Sequence, residues 1–189
     1  ILSKNYYLGV YTIFNKICLV YFSNFSGAFY SLPIFPGLRV VSLNMNYCAG
    51  RNFWLYINAT DPLNQLDWLA NVLQYSENIG EKVHILGHEF PSSCLDSWSE
   101  NYYRIVNRYE STITGQFFGH SHSDQFELFY DLNDINRCIG IAYIPGSATT
   151  NVNLNPGYRV YEVDGVYSNS SYQVLNYKNV FMNLTDANL

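Results

Sequence analysis

The 189-residue sequence predicts a mixed α/β fold, a two-sheet sandwich flanked by helices. Two amphipathic helical stretches each run into a short apolar strand that ends in a glycine-led histidine turn. The last third holds strand-like runs without helical periodicity, and 18 tyrosines and 12 phenylalanines suit β-rich packing. With 48% hydrophobic and 13% charged residues, the chain can bury a sizeable core and is no disordered tail. A net charge of −5 and the absence of any basic run exclude a nucleic-acid polymer as partner, since phosphate contacts need a basic surface.

Residues 1–26 read as a separate apolar N-terminal segment, nearly continuous from Tyr6 to Phe22 apart from Asn15-Lys16. It is slightly short for a membrane span, so a strand pair, a signal-like apolar region and a transmembrane segment all stay open. A chain that begins with Ile1 reads as a processed product or a fragment.

From Gly27 onward the pattern is orderly. Ala28 to Leu32 and Leu38 to Leu43 read as strands, separated by a turn at Pro33, Pro36 and Gly37. Asp61 is an N-cap with Pro62 at the first helical position, and Leu63, Leu66, Leu69, Ala70 and Leu73 form one apolar face until Gly80. Val83 to Leu86 is a buried strand that delivers Gly87-His88, with His84 a satisfied core histidine inside it. Ser97 and Glu100 form a capping box for a helix presenting Trp98, Tyr102, Ile105, Val106 and Tyr109. Thr112 to Phe118 is the next strand, leading into Gly119-His120-Ser121-His122. Phe126 to Tyr130, Ile139 to Ile144, Tyr158 to Val163 and Tyr172 to Leu175 read as a second, antiparallel sheet.

Three of the four histidines thus sit in two turns at matching strand ends, the rim where α/β sheets collect ligands. His88, His120 and His122 are candidate metal ligands, with glycines letting the backbone turn without a Cβ clash. Surface turn histidines are the plain alternative, and a single zinc with an open water position is chemically allowed. Cys18, Cys48, Cys94 and Cys138 lack zinc-knuckle spacing and are disulfide candidates or buried thiols. Glycosylation sequons occur at Asn24, Asn58, Asn169 and Asn183, which with the cysteines lean toward an oxidising compartment, although asparagine is abundant enough to produce sequons by chance.

The segments SLNMNYC, NFWLYINATDPLNQLDWL, KVHILGH, SWSENYYRIVNRYE, GQFFGHSHSDQFELFYD, PGSATTNVNLNPGYRVYEVDG and NLTDAN, in this order, resemble the acid sphingomyelinase family of calcineurin-like metallophosphoesterases. The likeness runs from about Gly27 to Asn188, so residues 27–189 correspond to the C-terminal part of the catalytic domain. It implies the C-terminal half of a two-sheet metallophosphoesterase sandwich, and a hydrolase that cleaves sphingomyelin to ceramide and phosphocholine with two zinc ions, lysosomal or secreted. His88 and His120 match ligands of one ion, and His122 a ligand of the other. Cys48 and Cys94 match a family disulfide, whereas Cys18 and Cys138 have no counterpart. Tyr158 matches a tyrosine near the choline headgroup, or is a sheet aromatic.

The family's Asp-x-His, bridging aspartate and Gly-Asn-His segments do not occur here, and with them go half the metal site and the general acid. Arg51 stands where the family has a glutamate near the headgroup. Glu89, beside His88, reads as a metal-ligand partner or as a solvated turn residue. Two functions follow: a phosphodiesterase whose activity needs the missing N-terminal half-domain, acting on sphingomyelin or another choline phosphodiester at a lipid membrane surface, or a non-catalytic module binding metal, headgroup or a protein partner. The chain alone is expected to hold at most weak zinc and to cleave nothing. As a half-domain it is also expected to expose apolar surface.

Overall fold

The computed structural model describes Tyr6–Tyr7 and residues 27–189. The rest of the N-terminal segment, with Cys18, Asn24 and the apolar run to Phe22, lies outside the described residues. Tyr6–Tyr7 (β1) pairs antiparallel with a strand near the other end of the chain.

Six strands make the main sheet. In chain order they are β2 (Tyr30–Phe35), β3 (Leu38–Ser42), β4 (Lys82–Leu86), β5 (Ile113–Phe117), β6 (Gln125–Tyr130) and β7 (Cys138–Ile144). Their spatial order is β2-β3-β4-β5-β7-β6. The four central strands run parallel, and the two edges, β2 and β6, pair antiparallel with their neighbours. Parallel strands need long crossovers. Helices α1 (Gln65–Asn78) and α2 (Asp96–Arg108) supply them between β3, β4 and β5. Leu66, Leu69 and Leu73 of α1 and Trp98, Tyr102 and Val106 of α2 pack on Val41, Val83 and Ile85 as one core. Trp98 and Tyr102 stack with centroids 5.1 Å apart.

The opposite face carries a small sheet of β1, β8 (Gly157–Val163) and β9 (Val174–Phe181), in the order β1-β8-β9, with a four-residue α3 (Leu184–Ala187) after it. Here the contact is aromatic: Phe117 and Tyr143 of the main sheet meet Tyr161 and Tyr177. The expected α/β two-sheet architecture with flanking helices is the one observed. Among the described residues, no helix is long and apolar enough to cross a membrane.

Several local expectations are corrected. β6 and β7 belong to the main sheet, because β7 returns parallel to β5 and β6 hydrogen-bonds to β7. Alternation along a strand does not say which sheet it joins. Pro33 lies within β2, where an edge position and a bulge tolerate its missing N–H. Leu63 is 56% exposed, because Pro62–Asn64 forms a 3-10 turn with Leu63 and Asn64 at left-handed φ, and the regular helix starts at Gln65. Asp61 still caps, its carboxylate accepting from Leu66 N and Asp67 N. No capping box forms at Ser97; α2 begins one residue earlier, Leu95 is its N-cap, and neighbouring Ser99 donates to the Pro91 carbonyl.

Candidate metal centre

Parallel β4 and β5 end side by side, with Leu86 paired to Phe117, so the residues that follow both strands emerge at the same rim. Gly87 N donates to Phe117 O at 3.0 Å, and Gly119 N donates to His88 O at 2.8 Å. These two bonds hold the histidine turns together. The His88 and His120 rings lie 5.3 Å apart between centroids at 89°. Both are exposed at the rim.

The glycines act differently from expectation. Neither Gly87 nor Gly119 has positive φ; it is His120, at 75°, and His122, at 63°, that take the left-handed conformation. That conformation is unfavourable for a residue with a Cβ and clusters at functional sites. Gly87 is needed for space, since a Cβ there would lie 2.6 Å from the Phe118 ring and 2.9 Å from Met45 Sδ. Gly119 has room, its nearest neighbour being His88 O at 3.7 Å.

His122 lies in a different part of the rim, lining a cavity of about 470 Å³ with Asp124, Tyr158, Asn179 and Phe181. Tyr158 is 61% exposed there. Glu89 is partly buried, with Oε1 3.7 Å from His120 Nε2, so it faces His120 across the turns. A sequence reading could see Glu89 beside His88 but not its approach to His120, which depends on how the turns pack. Arg51 is exposed. Among the described residues, no three His, Cys, Asp or Glu side chains gather closely enough to hold a metal ion. Imidazoles with a neighbouring carboxylate are donors of the kind that divalent transition metals accept.

His84 is fully buried, as a core histidine should be, but only half satisfied: Nε2 bonds Tyr172 O at 2.7 Å, and Nδ1 has no partner among the described residues. Cys48 and Cys94 form a disulfide, backed by Leu95 N donating to Cys48 O, and it joins the segments that follow β3 and β4. Cys138 is exposed and has no disulfide partner among the described residues. Asn58, Asn169 and Asn183 are exposed, and Asn183 also caps α3.

Over 162 residues the chain is 58% identical to sphingomyelin phosphodiesterase of Bos taurus, covering 86% of this chain and 26% of that protein. The chain belongs to the sphingomyelin phosphodiesterase family. The Homo sapiens member is 56% identical over 163 residues, covering 86% of this chain and 26% of its own length. More distant is the cyclic GMP-AMP phosphodiesterase SMPDL3A of Mus musculus, 35% identical over 179 residues, with 86% of this chain and 39% of that protein covered. The chain therefore spans about a quarter of the length of the sphingomyelin phosphodiesterases it matches. No protein-family model matches. A dimetal phosphatase from Danio rerio aligns in structure with a TM-score of 0.47 and 16% identity over 82% of this chain and 60% of that one.

Proposed function

We propose that the chain is the C-terminal part of the catalytic domain of a sphingomyelin phosphodiesterase, which hydrolyses sphingomyelin to ceramide and phosphocholine at a lipid surface. The observation that carries this is the juxtaposition of His88 and His120 at one strand rim, in a sequence 56% to 58% identical to two proteins named for that activity.

His88 and His120 would hold one zinc ion, and His122 would contribute to a second. When bound, such a pair supplies Lewis-acid polarisation of the phosphoryl group and activation of the attacking water. The exposed Tyr158 ring offers an aromatic face to the quaternary ammonium of choline from the same cavity that His122 lines. Glu89 Oε1 lies 3.7 Å from His120 Nε2, too far for a hydrogen bond here, and would accept from that nitrogen after a small rotation of the ring, orienting His120 toward a metal. By the family resemblance, protonation of the leaving alkoxide falls to the remainder of the catalytic domain. On this reading the chain alone is inactive, because the family's bridging aspartate and general acid are not among its residues.

A secretory or lysosomal location with glycans on Asn24, Asn58, Asn169 and Asn183 completes the reading. Its support is the Cys48–Cys94 bridge, a linkage that persists in oxidising compartments. The test compares metal content and sphingomyelin hydrolysis for the isolated chain and for the polypeptide extended on its N-terminal side. Two zinc ions and turnover only in the extended form support the proposal. Turnover by the isolated chain, or an extended form that binds no metal, would sink it.

A further inference from the structure

Both histidines of the second turn sit in left-handed backbone, which costs on the order of 1 kcal/mol or more each and persists only where the surroundings impose it. On the upstream side the constraint is visible: Gly119 N donates to His88 O at 2.8 Å. Within the turn the bonds are local, Ser121 N to Gly119 O at 3.0 Å and Ser123 N to Ser121 Oγ at 3.2 Å, and neither ties it to the rest of the fold. The downstream anchor is Asp124, two residues beyond His122 and immediately before β6.

Asp124 Oδ1 accepts from Arg159 Nη2 of β8, and Asp124 Oδ2 accepts from Asn179 Nδ2 of β9. Arg159 and Asn179 are cross-strand partners, and Arg159 Nε donates to Asn179 Oδ1 at 2.7 Å. The guanidinium also lies 4.3 Å from the Tyr177 ring centroid and 5.9 Å from that of Tyr161. The Arg159 side chain is 2% exposed, against 52% for Asp124. The donor is thus held rigidly by the small sheet, and the carboxylate comes to it from the turn. A charge-assisted contact to a preorganised fork adds geometric specificity beyond attraction alone.

We propose that Arg159 and Asn179 are positioning residues that lock the His122 turn onto the small sheet through Asp124, and so set His122 against Tyr158. The proposal rests on the reading of His122 as a metal ligand. Tyr158 neighbours Arg159 in β8 and lines the same cavity as His122, Asp124 and Asn179, so one contact fixes the spacing between metal ligand and headgroup aromatic. This gives the small sheet a role in the site.

The test uses the N-terminally extended protein with Asp124→Asn, Asn179→Ala and Arg159→Lys, titrated stepwise with cobalt(II) and followed by its visible absorption bands, with thermal melting alongside. Wild type binds two equivalents. Asp124→Asn, on the turn, and Asn179→Ala, on β9, each remove one arm of the clamp; both weaken one equivalent by about tenfold or more, leave the other unchanged and leave the melting temperature in place. Arg159→Lys keeps the charge, loses the fork and shows the same selective loss. Unchanged affinity at both equivalents in all three variants overturns the clamp while leaving the family reading intact. Equal weakening of both equivalents with a lowered melting temperature also overturns it, by assigning the contact to fold stability. A wild-type protein that binds no cobalt overturns the metal reading itself.

Discussion

His84 and Tyr172 tie the main sheet to the segment that leads into β9: the ring in the middle of β4 lies with Nε2 2.7 Å from the Tyr172 carbonyl oxygen, 88 residues away in sequence. A carbonyl only accepts, so Nε2 carries the hydrogen and Nδ1 is a bare, buried nitrogen without a partner among the described residues. Tyr172 is itself anchored, its hydroxyl donating to Pro36 O at 2.8 Å in the β2–β3 turn. Burial, only partly offset by the Tyr172 bond, pushes the His84 pKa down to about 4.

This makes stability acid-sensitive. The unfolded chain takes up the His84 proton near pH 6.5 and the folded chain only near pH 4, so stability is full above about 6.5 and falls as pH drops through that window. The loss between pH 7.5 and 4.5 is about 2 to 3 kcal/mol from this group. Urea unfolding of wild type and His84→Gln at both values checks it. The variant is less stable at pH 7.5 and has the shallower pH dependence; equal slopes would remove His84 from the account.

The two turn glycines should respond differently to alanine. Gly87→Ala drives a methyl group into the Phe118 ring and Met45, costing about 1 to 3 kcal/mol and displacing His88. Gly119→Ala meets only ordinary contact distances and is expected to stay within about 0.5 kcal/mol of wild type. Denaturation midpoints of the two variants decide, and the reverse ranking contradicts the packing described for this rim.

Reducing the Cys48–Cys94 bridge, which closes a loop of 46 residues, is expected to cost about 4 kcal/mol through the freedom returned to the unfolded chain. Chemical denaturation of Cys94→Ala against wild type measures this. A midpoint that does not move would show that the loop between the two cysteines remains ordered without the bond.

Tyr158→Ala, in the N-terminally extended protein, is expected to raise KM for a choline phosphodiester by about fivefold, whereas Tyr158→Phe, which keeps the aromatic face, remains close to wild type. Steady-state kinetics with choline and ethanolamine headgroups provide the readout. Equal effects of both substitutions would assign the role to the hydroxyl instead of the ring.

Much of the fold could be read from local pattern. The α1 stripe of Leu66, Leu69 and Leu73, the aromatic face of α2, and the apolar strands before each histidine turn are periodic signals within a few residues of one another. The helix starts were less legible. Asp61 caps across an intervening 3-10 turn and Ser97 does not cap at all, because cap geometry depends on backbone conformation that residue identity only biases.

Sequence by itself determined the α/β class, the pairing of a helix and a strand before each histidine turn, and the family, since these follow from hydrophobic period and from motifs carried in order along the chain. Tertiary structure alone decided that β6 and β7 extend the main sheet, that left-handed backbone falls on His120 and His122 and not on the glycines before them, and that Asp124 is held by Arg159 and Asn179. These rest on contacts between separate segments, such as β7 beside β5 and Asp124 against β8 and β9, or on the backbone strain such contacts impose. A side chain's identity constrains its own torsions strongly, but it says little about which distant partner will be brought within 3 Å.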